Sequence, residues 1–257
     1  MYTNDYVVVD LETTGLSPKY EKIIEIGAVR IRNGEVADTF STFVNPGKSL
    51  PPRITELTGI NDAELVNAPY IEEILDEFLD FIGDDVLMGH NLLFDYSFIK
   101  KAAVNQKKTF EKDGIDTLRI ARCFLMTLES KKLGALCEHY GIELNAHRAL
   151  NDAIATHELY QKLVKEFYSD TKADNEKLVF MPKKLVYTIK KESPITAKQC
   201  EQLLRLAQRY DLNVTDIENS KYLEPVENVL PDRVEIARLT KNEASRLIDR
   251  LLSNFGR

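Results

Sequence analysis

No stretch of this 257-residue chain approaches the ~18 consecutive apolar residues of a membrane span, so no transmembrane helix is expected. Cysteine is scarce. Cys123, Cys137 and Cys200 are odd in number and form no Cys-x-x-Cys pair. That argues against a disulfide framework and against a zinc-type site, and reduced thiols in a cytoplasmic protein are the expectation. The first residues lead straight into an apolar strand, without a basic region or an apolar signal, which points the same way. Positive charge is also in deficit. The net charge of −7 speaks against a broadly basic surface that coats nucleic acid. The deficit is uneven: residues 1–170 carry 18 Lys+Arg against 28 Asp+Glu, and residues 171–257 carry 16 against 13. A nucleic-acid partner would therefore be held in the acidic part by metal ions in a local cleft, with basic contacts added by the tail.

What is present suits one large domain with an appendage, at 44% apolar and 29% charged residues. The run Tyr6-Val7-Val8-Val9-Asp10-Leu11-Glu12 reads as a buried strand ending in two acids. Lys22 to Ile31 is rich in β-branched residues, Asn33-Gly34 is a hairpin signal, and residues 36–44 return as a third strand. Residues 48–68 read as a loop with a short helix. Pro69 opens a helix with apolar positions Ile71, Ile74, Leu75, Phe78, Leu79 and Ile82. Val86-Leu87-Met88 and Ile115-Asp116-Thr117 read as short strands. Helices are expected over 94–104, 118–125, 133–140 and 149–167. Strands first, then helices interleaved with strands, predict an α/β fold with a mixed central sheet flanked by helices. The polar stretch 169–177 marks a boundary, giving a domain over 1–168 and a linker with a small, mainly helical module over 169–257. Residues 178–189 suit one or two strands. Within the module, Thr196-x-x-Gln199 and Thr240-x-x-Glu243 are two capping boxes 44 residues apart, each opening a helix.

Three short segments carry chemistry. In a strand, residues two apart share a face, so Asp10 and Glu12 point the same way. Two carboxylates beside a core repel each other and resist dehydration, and a cation between them relieves both costs. A lone Asp-x-Glu would read as a solvated strand end. Gly15 allows a sharp exit, with Thr13 and Thr14 offering hydroxyls and amides. In Gly89-His90-Asn91-Leu92-Leu93-Phe94-Asp95, the acid falls in a first helical turn, where the macrodipole favours negative charge. In His147-Arg148-Ala149-Leu150-Asn151-Asp152, Asp152 sits at the edge of the apolar stripe formed with Ala155, Leu159 and Leu163, an unusual place for an unpaired acid. Four such acids suit two hard cations, Mg²⁺ or Mn²⁺, roughly 3.5–4 Å apart, the arrangement used for in-line displacement at phosphorus. His147, five residues before Asp152, supplies an imidazole suited to proton transfer near neutrality.

Asp10-Leu11-Glu12-Thr13-Thr14-Gly15, His90-Asn91 with Asp95, and His147 with Asp152 resemble the three motifs of the DEDDh, or DnaQ-like, 3′→5′ exonucleases. The proofreading exonucleases of bacterial replicative polymerases, PolC type included, are the nearest in pattern. Lys22 to Ala28 and Phe43-Val44-Asn45-Pro46 share it, so the resemblance covers roughly residues 5–168. It implies an RNase H-like fold, Asp10, Glu12, Asp95 and Asp152 as ligands of two divalent cations, and His147 as general base. It implies that Thr13, Thr14, Gly15 and Leu16 grip and wedge the terminal nucleotide, with Asn91 and Phe94 lining the cleft. Leu16 and Phe94 equally suit a core. Thr58-Gly59 stands where the family often has His-Gly. The implied substrate is the 3′ end of single-stranded DNA, with a polymerase as a prospective partner. RNA trimming, and a nucleic-acid scaffold that does not cut, are the competing readings. His90 reads as a turn residue, and His139 and His157 as surface or packing residues. Lys100-Lys101 and Lys107-Lys108 read as solvated faces, and Gln202 to Leu206 as helix packing.

Overall fold

In the computed structural model, which describes residues 2–169, 174–217, 220–223 and 234–255, strand β1 (Tyr6–Thr13) is the third strand of a six-stranded sheet. It pairs antiparallel with β2 (Ile23–Arg32), which pairs antiparallel with β3 (Glu35–Phe43). Asn33 and Gly34 take positive φ of 54° and 81° at the connecting turn, as the Asn-Gly signal requires. On its other side β1 runs parallel to β4 (Leu87–Gly89), which runs parallel to β5 (Asp113–Asp116). This is the mixed α/β sheet expected.

The pleat of β1 sorts the core into two layers. Tyr6 and Val8 face a cluster built with α5 (Thr117–Phe124), α6 (Leu133–Tyr140) and α7 (Ala149–Phe167). Val7, Val9 and Leu11 face a second cluster built with α3 (Ile71–Ile82) and α4 (Leu93–Asn105). Asp10 and Glu12 continue the Tyr6–Val8 face and therefore point toward α7. Helix α7 has the bounds that its apolar stripe predicts.

Residues 48–68 hold two short helices, α1 (Pro52–Thr58) and α2 (Asp62–Leu65), where one was expected. Pro69 does not occupy the first turn of α3. Glu73 accepts the Tyr70 N–H at 2.7 Å, making Tyr70 the cap and starting the helix at Ile71. The chain past α7 stays with the sheet. After α8 (Asp174–Lys177), Phe180 is buried in the α7-side core. Only Lys183–Lys184 of the expected 178–189 strands is a strand, β6, antiparallel to the β5 edge.

The tail helices are α9 (Ala197–Arg209) and α10 (Lys241–Phe255), each opened by its capping box. They share a core of Leu203, Leu206, Ala207, Leu247, Ile248 and Leu251. Between them lies a three-stranded sheet that was not foreseen: β7 (Val214–Ile217), β8 (Ser220–Leu223) and β9 (Val234–Glu235). The apolar content of these short strands is too low to register as a pattern.

One close approach governs where α7 sits. Gly27 on β2 lies opposite Asp10, and a Cβ there would stand 2.1 Å from the Ala149 carbonyl carbon. Only the absence of a side chain lets the start of α7 rest on the sheet. Gly27→Ala is expected to cost about 1–3 kcal/mol, because backbone cannot swing aside as a rotamer can. Urea unfolding measures it, and an unchanged midpoint would mean that α7 is not held this close.

Candidate active site

The end of β1 and the first turn of α7 bring three acids together. Asp10, Glu12 and Asp152 each offer a carboxylate oxygen, and these atoms lie within 4.8 Å of one another. Asp10 and Glu12 are half-buried and Asp152 is buried. Asp95 stands apart from that trio in direct geometry. It enters from the first turn of α4 on the other side of the sheet, is 3% exposed, and its Oδ1 accepts the Leu11 N–H at 3.0 Å. That bond pins α4 to β1 between Asp10 and Glu12.

The cluster is electrostatically loaded. Burial, then the negative charges of Asp95, Asp152, Glu12 and Glu25, push the Asp10 carboxyl well above the usual range. Burial also raises Asp95, against the opposing bonds from its own amide and the Leu11 N–H. Glu12 is pushed up to about 7 by burial, then by Asp152 and Glu25, while Arg148 pulls it down. Asp152 is raised by burial and partly held down by the His147 amide. Several acids that all resist ionising together, with oxygen donors converging, suit a hard divalent cation.

Two residues that the motifs did not single out hold α7 in place. Glu25 faces Glu12 across the β1–β2 pair and is 2% exposed. Its Oε1 accepts from Nε and Nη2 of Arg148, both at 3.1 Å, and its Oε2 accepts the Ala149 N–H at 3.2 Å. The Arg148 side chain makes no cap for α7, so a carboxylate from β2 meets the helix N-terminus instead. The signal was an acid inside the apolar run Ile23-Ile24-Glu25-Ile26, with no partner nearby in sequence. Just before this seat, His147 has a left-handed φ of 64° and its N–H donates to Asp152 Oδ2 at 2.8 Å. Its side chain is exposed.

The loop after β1 is braced from within. The Thr13 hydroxyl donates to the Gly15 carbonyl at 2.8 Å, and the Thr14 hydroxyl donates to Glu21 Oε2 at 2.6 Å while accepting the Lys22 N–H at 3.0 Å. These hydroxyls, expected to be on offer, are used to shape the turn. Leu16 is 80% exposed at its tip, which removes the core reading for that residue. In the turn after β4, Asn91 is exposed with φ 68°, and its N–H donates to Asp116 Oδ1 at 3.0 Å. Phe94 is half-buried and packs on Phe98, ring centroids 5.1 Å apart. His90 is held between the Thr117 hydroxyl (2.9 Å) and the Lys131 carbonyl (2.8 Å), as a turn residue would be. His157 is a packing residue against the Tyr6 hydroxyl at 3.0 Å.

A mixed sheet that presents converging acids at the end of its central strand defines a nuclease-type domain. The chain belongs to the RNase T exonuclease family, whose model matches residues 7–160. It is 44% identical over 182 residues to a PolC-type DNA polymerase III of Clostridium perfringens, covering 68% of this chain but 13% of that protein. It is 41% identical over 165 residues to a DNA polymerase III epsilon subunit of Aquifex aeolicus, covering 63% of this chain and 82% of that one. A solved structure of exonuclease X in complex with 5′ overhanging duplex DNA shares the fold, with a TM-score of 0.54, 22% identity, and coverage of 68% of this chain and 99% of that one.

The acid cluster sets a pH dependence in the metal-free protein. Between about 4.5, the ordinary value of the Glu12 side chain, and about 7, the folded state keeps a proton that the unfolded chain has released. The unfolded state then binds fewer protons, so stability falls as pH rises through that window, and Asp10, Asp95 and Asp152 shift the same way. In chelator, Glu12→Gln should melt above the parent at pH 8, with the gap closing toward pH 5. Added Mg²⁺ or Mn²⁺ should raise the parent most at pH 8. Equal melting of the two proteins at pH 8 would contradict this account of the cluster.

Proposed function

We propose that this chain is a divalent-cation-dependent 3′→5′ exonuclease. It hydrolyses phosphodiester bonds at the 3′ end of single-stranded DNA and releases nucleoside 5′-monophosphates. The observation that carries this reading is the convergence of Asp10, Glu12 and Asp152 within 4.8 Å, with Asp95 tied to the strand between the first two. The donor set is all carboxylate, which fits Mg²⁺ or Mn²⁺ and disfavours zinc. Asp10, Glu12, Asp95 and Asp152 would hold two such ions. When bound, these supply Lewis-acid activation of the attacking water and charge stabilisation at the leaving 3′-oxygen.

The remaining roles fall to this chain's own groups. His147 accepts the proton of the attacking water on an imidazole nitrogen. Its backbone, fixed by Asp152, keeps the residue at the rim while the exposed side chain can swing over the acids. Leu16 wedges under the terminal base from the tip of a loop that Thr13, Thr14 and Gly15 stiffen. Asn91 and Phe94 border the cleft opposite. Similarity to a PolC-type polymerase and to an epsilon subunit supports a proofreading setting beside a replicative polymerase in the cytoplasm. Among the described residues no helix is long and apolar enough to cross a membrane.

Incubation of 3′-labelled single-stranded DNA with the protein and Mg²⁺ should give stepwise shortening, and matched RNA should be cut more slowly. Asp10→Ala should lose several orders of magnitude, on the order of 10³-fold or more, because the ligands act as a unit. His147→Ala should lose about 10²–10⁴-fold while cation binding, read by thermal shift, persists. Full activity in Asp10→Ala would defeat the reading.

A further inference from the structure

The tail module meets the sheet domain beside the active-site loop and leaves a hollow of about 320 Å³ between them. Its floor is continuous with that loop, because Glu21 and Lys22 are the residues that bond the Thr14 hydroxyl. Its far wall is α10, held by the Lys22–Glu243 ion pair at 3.3 Å, and β9 is tied to the sheet domain by the Glu235 N–H on the Gly47 carbonyl at 3.0 Å.

The charges in this hollow run against the acidic balance of the whole chain, with five cationic side chains lining it against three carboxylates. Three of the cations are engaged: Lys22 with Glu243, Lys48 with Glu21, and Arg238 with Glu235, each at 3.3 Å. Arg246 and Arg250 are exposed and, among the described residues, no carboxylate pairs with either. They stand one turn apart on α10, an arrangement in which like charges destabilise a helix slightly. The fold does not demand them. The echo helix α9, offset by 44 residues, has Gln202 and Leu206 at the matching places. The Arg246 guanidinium also lies over the Tyr20 ring, 4.6 Å from its centre, and Lys19 Nζ stands over the same ring at 5.0 Å, the side chain being 41% exposed.

Uncompensated guanidinium groups offer charge to phosphates, and the exposed Tyr20 ring beneath the cations offers a π-face to a base where a cation moves off it onto a phosphate, the two means by which single-stranded nucleic acid is held without sequence preference. We propose that this hollow carries the strand on the 5′ side of the nucleotide being removed, with Arg246 and Arg250 on neighbouring phosphates and Tyr20 under a base. The strand's polarity rests on the exonuclease reading above, whereas the binding itself does not.

The test separates the two. In the full chain with chelator present, fluorescence anisotropy with a labelled twelve-nucleotide oligo-dT measures binding without hydrolysis. Arg246→Gln/Arg250→Gln should weaken binding on the order of tenfold at 0.1 M salt and lower the log–log salt slope by about 1.4. Tyr20→Ala should weaken it by about fivefold or more, with the salt slope unchanged. With Mg²⁺, the double variant should lose the same factor in kcat/KM on the twelve-nucleotide strand and retain parental hydrolysis of a dinucleotide without a 5′ phosphate, which has no phosphate on the 5′ side of the cleaved bond. Both arginines are exposed, so an unchanged circular dichroism spectrum and melting temperature should accompany these losses. Parental affinity and slope in the double variant would overturn the proposal and leave the arginines to a partner of another class, such as an acidic peptide. Absence of hydrolysis by the parent on either substrate would sink the exonuclease reading, while the anisotropy result would still decide the groove.

Discussion

Everything at the acid cluster depends on how closely the first turn of α7 can lie on β2. Gly27 makes room for the Ala149 backbone, and Glu25, two residues earlier on the same face, receives the helix's first amide and the Arg148 guanidinium. The contact fixes both height and rotation of the helix. Asp152, one turn further, then meets Asp10 and Glu12, which sit opposite Gly27 and Glu25 in the strand register. A neutral cap at the helix start would satisfy the amide but would supply no charge to hold Arg148, which in turn moderates Glu12. The seat and the chemistry thus share the same side chains.

The loops that carry Asn91 and His147 use one device. Asn91 and His147 both adopt left-handed backbone, a conformation that is costly for residues with a Cβ but less so for Asn and His. Each then gives its N–H to an aspartate carboxylate: Asn91 to Asp116, His147 to Asp152. Asp116 also accepts the Leu118 N–H at the start of α5, so a single acid ties a motif loop to a helix start. Rigid backbone beneath exposed side chains leaves Asn91 and His147 placed but free at their tips.

Much of this was legible because local pattern and global fold agree. The alternation in β1, the stripe of α7 and the Asn-Gly turn each report a period or a backbone need that tertiary packing then respects. The grouping of acids was legible only as a set of motifs, since nothing in a strand-end Asp-x-Glu says what approaches it. Of the Glu25–Arg148 pair only the buried acid left a trace in the sequence, because 123 residues separate the partners and Arg148 reads as an ordinary lead-in. Pro69 misled because the Glu73 carboxylate selects a different first residue for α3. The strands of the tail escaped notice because two to four residues with few apolar positions carry no usable periodicity.

The return of the chain along β5 has a practical reach. Phe180 packs tilted against Phe124 and edge-on against Tyr168, the Leu185 N–H bonds the Lys112 carbonyl at 2.9 Å, and Leu185 fills the space over Gly114. A shortened protein ending where α7 ends would strip away that cover. It would bare an apolar socket and leave the backbone of β5 open to any passing strand, the recipe for sticky, self-associating material. An excised nuclease unit that stays monodisperse would need to run on through Tyr187.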